Sequence, residues 1–148
     1  MKVLVVIDIQ DKYLSFYDHE LINRINSRIE KASMDEVPVL YVKNIGIFGN
    51  TEEYDLAKEL LITSNHIYEK RTPSAFTNPL FVKTLSSLDP TTIEIIGIDG
   101  NCCVKKTCVD AVNSGYKVSL DLNCTAAKNR KIFDRTLKEL SGLGVMMY

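Results

Sequence analysis

The sequence predicts an α/β fold of three layers, in which helices cover both faces of a mainly parallel six-stranded sheet. Short apolar runs alternate with longer amphipathic stretches along the 148 residues, a pattern typical of βαβ units. The runs at 3–7 and 93–98 are continuous and rich in β-branched residues, as in strands that are covered on both faces. A chain of this length can bury roughly 70% of its unfolded surface in one core, so we expect residues 1–148 to form a single domain.

The strands are predicted from the apolar runs and from the turn residues that bound them. The first run ends at Asp8, and Gly115 marks the point where a helix should stop before the fifth strand. In chain order, the predicted strands are Lys2 to Ile7, Val37 to Val42, His66 to Tyr68, Thr92 to Ile98, Lys117 to Leu120 and Val145 to Met147.

The helices are predicted from apolar residues at helical spacing. This spacing is present in Asp18 to Ser33, Cys103 to Asn113 and Lys131 to Leu140. We also expect a short helix over Thr51 to Leu61. The stretch at 44–50 is predicted as a loop, and the two prolines of 71–79 predict irregular structure there.

Composition narrows the functional classes. The net charge is −1, from 18 basic and 19 acidic residues, and no basic stripe is visible, so we expect no nucleic-acid partner. The apolar opening is too short for a secretory signal or a membrane span, which favours a cytoplasmic protein with no membrane partner. The four cysteines follow neither zinc spacing nor the C-x-x-C pattern, so a disulfide framework or a structural metal is not expected.

Three unlike reactive groups follow the ends of predicted strands. Asp8 follows the first strand, Lys70 lies just after the third, and Cys103 opens the helix after the fourth. Ligands of open parallel sheets bind beyond these carboxyl ends, so the three groups should meet there. A helix N-terminus and a nearby Lys70 would lower the pKa of the Cys103 thiol, while Asp8 could accept its proton. The pattern alone leaves open a second interpretation, in which Cys103 is an ordinary buried cysteine.

Three segments resemble the isochorismatase-like cysteine hydrolases, the superfamily that includes nicotinamidases and related amidohydrolases. They are Val5 to Gln10, Glu69 to Phe76 with its Ser-Ala-Phe ending, and Gly97 to Val104 followed by Thr107 and Asp110-Ala111. The three segments occur in the family's order and span nearly the whole chain. The resemblance implies the Rossmann-like fold of that family, with no cofactor.

The resemblance also implies roles for individual residues. Cys103 would be the nucleophile, Asp8 the general base and acid, and Lys70 the group that stabilises the thiolate. The backbone N–H groups of Asp99 and Cys103 would form the oxyanion hole, and the turn would contain a cis peptide at Ile98-Asp99. Gln10 and Phe76 would be walls of the substrate pocket. The implied reaction cleaves a small amide or related acyl compound through a thioester.

The chain departs from the family pattern at three places. Neither His19 nor His66 belongs to the Asp-x-His pattern that carries the metal of nicotinamidases, so no bound metal is expected and nicotinamide becomes a doubtful substrate. The region between the second strand and Lys70 is short, so the pocket is expected to be either open or completed by a second subunit, and a homodimer or larger homo-oligomer is favoured. The turn reads Asp99-Gly100-Asn101, and an Asp99 side chain facing the pocket would disfavour anionic substrates.

Other functions remain open at this stage. A non-catalytic binding or scaffold protein that retains the fold is compatible with the altered turn and the short cover. A thiol-redox protein is disfavoured because no C-x-x-C is present, and a nucleotide-binding protein is disfavoured because no phosphate-binding glycine loop follows a strand.

Overall fold

The computed structural model describes all residues from Met1 to Tyr148 and contains one six-stranded sheet. Its strands are β1 (Lys2–Ile7), β2 (Val39–Asn44), β3 (Ile67–Lys70), β4 (Thr92–Gly97), β5 (Lys117–Thr125) and β6 (Met146–Met147). Every pairing is parallel, and the strand order is β3-β2-β1-β4-β5-β6. The order reverses between β1 and β4, where a doubly wound sheet opens a crevice for ligands.

The helices are α1 (Asp11–Leu14), α2 (Leu21–Met34), α3 (Pro79–Leu88), α4 (Cys103–Asn113) and α5 (Arg130–Gly142), with a 3₁₀ turn over Ala75–Thr77. On one face of the sheet, α2 buries Leu21, Ile25 and Ile29 against the even-numbered residues of β1. On the other face, α3, α4 and α5 contribute to a core cluster with the odd-numbered residues of β1. The predicted three-layer α/β fold is therefore confirmed.

One prediction about local structure was wrong. The stretch from Thr51 to Leu61 forms turns rather than a helix, because its backbone groups bond elsewhere. The N–H of Ala57 donates to the carbonyl oxygen of Ile9, 2.9 Å away, and the side chains of Asn50 and Asp55 accept from N–H groups at 53 and 56. Such local side-chain bonds compete with a helical ladder.

Helix α3 was not predicted. Its start carries a readable signal, because Asn78 accepts hydrogen bonds from the N–H groups of Leu80 and Phe81, and Pro79 occupies the first helical position. The prolines that suggest an irregular segment therefore include one that begins a helix.

No helix has both the length and the apolar character needed to span a membrane.

Candidate active site

The carboxyl ends of β1, β3 and β4 bring the three predicted reactive residues together. Asp8 directly follows β1, Lys70 ends β3, and Cys103 is the first residue of α4, which β4 feeds through a tight turn. All three are at least nine-tenths buried, and Asp8 and Cys103 line a cavity of about 400 Å³. The sheet-edge argument therefore located these residues correctly, whereas their chemical roles belong to the proposal below.

Asp8 and Lys70 form an ion pair inside the protein. The Nζ of Lys70 donates to Oδ2 of Asp8 at 3.0 Å, and the side chains are 0% and 4% exposed. Asp8 has a φ of 57°, a left-handed conformation that is uncommon outside glycine but tolerated by aspartate. The N–H of Asp8 donates to the carbonyl oxygen of Val42, which holds this turn against β2.

One oxygen of Asp8 is free to accept a proton. Its Oδ1 is buried and has no hydrogen-bond partner. Burial raises the pKa of Asp8, and the ammonium of Lys70 opposes that shift. The pair therefore holds a carboxylate in the cavity with one lone-pair site uncommitted.

The surroundings of Cys103 raise its pKa, which corrects the expectation of a lowered pKa. Burial and the neighbouring carboxylate of Asp8 raise the pKa of Cys103 to about 12, and Lys70 offsets only part of this rise. The loss of water around the sulfur is the largest cause of this rise. Nucleophilic attack by this sulfur thus requires a base, and the free oxygen of Asp8 is available for that role.

The turn between β4 and α4 leaves two backbone donors unused. The peptide bond Ile98-Asp99 is cis, as the resemblance implied. The carbonyl oxygen of Asp99 accepts from the N–H groups of Cys102 and Val104, whereas the N–H groups of Asp99 and Cys103 have no acceptor within the chain. Two free donors on one turn beside the sulfur are what an oxyanion hole requires.

Close contacts around this turn account for its two glycines, Gly97 and Gly100. Gly97 has a φ of 124°, and a side chain there would collide with the backbone of Ile7 on β1. At Gly100 a Cβ atom would lie 2.5 Å from the ring of Phe133, which α5 places against the turn. Close packing on both sides of the turn therefore requires glycine at positions 97 and 100.

The side chain of Asp99 faces the cavity and is held there by neutral donors. Its Oδ2 accepts from the hydroxyl of Tyr17 at 2.8 Å and from the N–H of Lys128 at 2.9 Å, and its Oδ1 accepts from the N–H of Asn101 at 2.8 Å. No cationic side chain forms an ion pair with it, and the ammonium of Lys128 lies over the ring of Phe16. No cationic side chain therefore offsets this carboxyl group at the cavity.

Gln10 and Phe76 do not line this cavity, contrary to expectation. Gln10 is fully buried, and its amide bonds to the backbone of Asn44 twice and to the carbonyl oxygen of Tyr54 once. The ring of Phe76 packs edge-on against Phe81, with 5.5 Å between the centroids. Both side chains therefore pack behind the site and do not line it. The expectation failed because a motif fixes the position of a residue in the chain but not the direction in which its side chain points.

Sequence reasoning missed several residues that surround the nucleophile. Tyr13 and Tyr17 line the cavity from the segment after β1, and burial raises the pKa of both phenols. Asn44, assigned to a loop, ends β2 and directs its side-chain amide at the sulfur of Cys103. The rule that ligands meet the carboxyl ends of strands would have found Asn44 if β2 had been extended by two residues.

The residues of the site do not fit a bound metal ion. No three His, Cys, Asp or Glu side chains lie together in a way that could hold one. His66 lies next to β3, where its Nδ1 is 3.3 Å from the hydroxyl of Tyr68, and His19 lies beside α2. Neither histidine lines the cavity, so we derive no chemical step through a metal.

Comparisons with known proteins agree with this fold. The family model described as the Isochorismatase domain matches residues 2–147. Nicotinamidase 3 of Arabidopsis thaliana is 23% identical over 158 residues, which cover 93% of this chain and 79% of that protein.

Two solved structures have the same fold at low identity. An isochorismatase-like hydrolase from Alkaliphilus metalliredigens superposes with a TM-score of 0.83 at 19% identity, over 99% of this chain and 93% of that one. A nicotinamidase from Staphylococcus aureus gives a TM-score of 0.83 at 20% identity, over 99% and 96% of the two chains.

Proposed function

Since this chain belongs to the isochorismatase domain family of hydrolases, we propose that it is a cysteine hydrolase that cleaves a small amide or related acyl compound through a thioester. The observation that carries the proposal is the meeting of four features in one cavity. The Cys103 thiol, the free oxygen of Asp8 and two unused backbone N–H groups line or adjoin it, and Lys70 balances the charge of Asp8.

The first half of the reaction forms the thioester. Oδ1 of Asp8 removes the thiol proton as Sγ of Cys103 forms a bond to the carbonyl carbon. The carbonyl oxygen becomes negatively charged and accepts hydrogen bonds from the N–H groups of Asp99 and Cys103. Asp8 then gives its proton to the leaving nitrogen, the C–N bond breaks, and the acyl group remains on sulfur.

The second half consumes one water molecule. Asp8, again a carboxylate, removes a proton from the water molecule while the water oxygen attacks the thioester carbon. The C–S bond then breaks, the sulfur recovers a proton from Asp8, and the carboxylic acid leaves. The Nζ of Lys70 favours the ionised form of the buried Asp8, so the carboxylate is ready to accept a proton at the start of each half of the reaction.

A direct test is to search for the acyl-enzyme. The protein is mixed with a panel of primary amides (acetamide, benzamide and nicotinamide), and ammonia release is measured alongside the intact mass after rapid acid quenching. We expect ammonia release from at least one amide, with the mass of its acyl group added at Cys103. Cys103→Ala should abolish both signals. Ammonia release that persists in Cys103→Ala would contradict the proposal.

The alternative is a binding protein that keeps the fold without the chemistry. The observation that favours it is the raised pKa of Cys103, because buried thiols with raised pKa values are usually unreactive. This protein would gain thermal stability in the presence of an amide of the panel while releasing no ammonia. The same mixtures therefore distinguish the two functions.

A further inference from the structure

The side chain of Asn44 donates a hydrogen bond to the sulfur of Cys103. Its Nδ2 lies 3.8 Å from Sγ, within the range for bonds to sulfur. Asn44 ends β2, which is adjacent to β1 in the sheet, so it approaches the sulfur from the strand beside Asp8. The nucleophile thus has a proton acceptor and a neutral donor on neighbouring strand ends.

The orientation of the Asn44 amide is determined by its own loop. The N–H of Gly46 donates to Oδ1 of Asn44 at 2.9 Å, so the oxygen faces the backbone and the NH₂ group faces the sulfur. An inverted amide would place two donors against each other at Gly46. The hydrogen-bond network therefore leaves one rotamer in which Asn44 acts as a donor toward Cys103.

The backbone of Asn44 is fixed as firmly as its side chain. Gln10 binds both its N–H, at 2.8 Å, and its carbonyl oxygen, at 3.1 Å. The hydroxyl of Tyr13 donates to the same carbonyl oxygen at 3.1 Å. A donor held by this many contacts does not need to reorganise when charge develops on the sulfur, which is the condition for electrostatic stabilisation in catalysis.

We infer that Asn44 is a further catalytic residue, which stabilises the negative charge on Sγ of Cys103 while Asp8 removes the thiol proton. The inference deepens the proposed function and rests on it for the word catalytic. No bond to Asn44 forms or breaks: the proton passes from sulfur to Asp8, and the amide donates a hydrogen bond that shortens as the charge grows.

The need for such a donor follows from the other contacts of the sulfur. Burial and the Asp8 carboxylate both disfavour a charged sulfur, and the ammonium of Lys70 is already engaged with Asp8. An amide supplies a positive hydrogen without adding a formal charge, so it stabilises the thiolate without neutralising the base.

The test measures the reactivity of Cys103 against pH. Wild type and Asn44→Ala are treated with iodoacetamide between pH 6 and 11, and alkylation of Cys103 is followed by peptide mass spectrometry. We expect alkylation of the variant to be about tenfold slower than that of wild type at each pH of this range, because a donor to a charged acceptor is lost. An unchanged pH profile would overturn the inference.

A matched control separates this effect from a loss of stability. Asn26 also bridges two backbone groups of a loop, the carbonyl oxygen of Glu59 and the N–H of Leu61, but it does not touch the site. Asn26→Ala should lower the melting temperature and leave the pH profile of Cys103 unchanged. A profile that shifts equally in both variants would mean that Asn44 acts only through the fold.

A measurement on the wild-type side chain covers the case in which Asn44→Ala does not fold. The side-chain NH₂ signal of Asn44, observed by ¹⁵N NMR at neutral pH, should have different chemical shifts in wild type and in Cys103→Ala, because the variant lacks the sulfur that accepts its hydrogen bond. A signal that does not respond to Cys103 contradicts the inference. If Asn44→Ala leaves amide turnover unchanged, the catalytic role of Asn44 is refuted and the proposed hydrolase activity is not. If Asn44→Ala changes the alkylation of Cys103 but the wild-type protein turns over no amide, the proposed hydrolase activity is refuted and the contact of Asn44 with the sulfur is not.

Discussion

Lys70 and Asp8 form a 3.0 Å ion pair between two strand ends that are not adjacent, since β2 lies between β3 and β1 in the sheet. The lysine side chain must therefore extend across the end of β2 to reach the carboxylate. The pair occupies Oδ2 of Asp8 and leaves Oδ1 unpartnered beside the cavity. One oxygen of Asp8 therefore stabilises the fold through Lys70, and the other is free to act as a base. The first two predictions test these two roles.

Removing one member of the ion pair should destabilise the fold strongly. Lys70→Ala leaves a buried carboxylate without its cation, and we expect the free energy of unfolding to fall by about 3–5 kcal/mol at neutral pH. Urea denaturation measures this change. The double variant Asp8→Asn with Lys70→Met, which carries no charge at either position, should recover most of the loss. Equal stability of the single and double variants would contradict the structural role of the pair.

The pH dependence of the thiol should respond to Asp8 with a definite sign. The carboxylate disfavours a second negative charge, so Asp8→Asn should lower the pKa of Cys103 from its raised value of about 12. Iodoacetamide alkylation should then begin at lower pH in the variant than in wild type. Amide hydrolysis should nevertheless fall by about 10²–10⁴-fold, because the proton acceptor is lost. A variant that gains thiol reactivity while losing turnover would separate the two roles of Asp8.

Asp99 should select against anionic substrates. Its carboxylate lines the cavity, and all three of its hydrogen-bond donors are neutral. At a separation of about 5 Å and an effective dielectric constant of about 20, two like charges repel by about 3 kcal/mol. We therefore expect Asp99→Asn to raise kcat/KM at least tenfold for succinamate, a carboxylate-bearing amide, relative to the neutral amide butyramide.

The control for this prediction is Asp134→Asn, which removes an exposed carboxylate on α5 outside the cavity. It should leave the ratio of the two kcat/KM values unchanged. If Asp99→Asn also leaves the ratio unchanged, its carboxylate does not act on the substrate.

Gln10 should stabilise the fold and should not contact the substrate. Its amide makes three hydrogen bonds to the backbones of Asn44 and Tyr54, and the residue is fully buried. Gln10→Ala should therefore lower the free energy of unfolding by about 2–4 kcal/mol, because buried backbone groups lose their partners. The melting temperatures of Gln10→Ala and Asn26→Ala are compared, because Asn26 also bonds to the backbone of a loop but lies outside the site. A raised KM at unchanged stability would restore Gln10 as a wall of the substrate pocket.

The sequence predicted the edge of the sheet at which chemistry gathers, but not how each side chain faces it. Asp8, Lys70 and Cys103 could be placed together because strand ends are visible as the points where apolar runs stop. Gln10 and Phe76 lie within the same segments, yet they point into the protein interior. Direction depends on backbone torsions such as the positive φ of Asp8, which residue types alone do not specify.

The bounds of the helices and strands also differ in how well the sequence predicts them. The predicted bounds of β1 and α4 agree with the structure because each lies next to a clear signal, a charge after an apolar run or a helix begun by a turn. The run that forms β2 continues through Lys43 and Asn44, whose polar side chains conceal it. Lys43 is buried in an ion pair with Asp55, a contact between residues that no periodicity links.

The amino-acid sequence alone determined the three-layer α/β fold, its six strands and the residue types available at the carboxyl edge, because apolar periodicity reports burial directly. The tertiary structure alone decided that burial raises the pKa of Cys103, that Asp99 lines the cavity and that Asn44 reaches the sulfur. Each of these depends on distance and solvent exclusion between segments far apart in the chain. Such quantities arise only when the strands are in register and water has left the site.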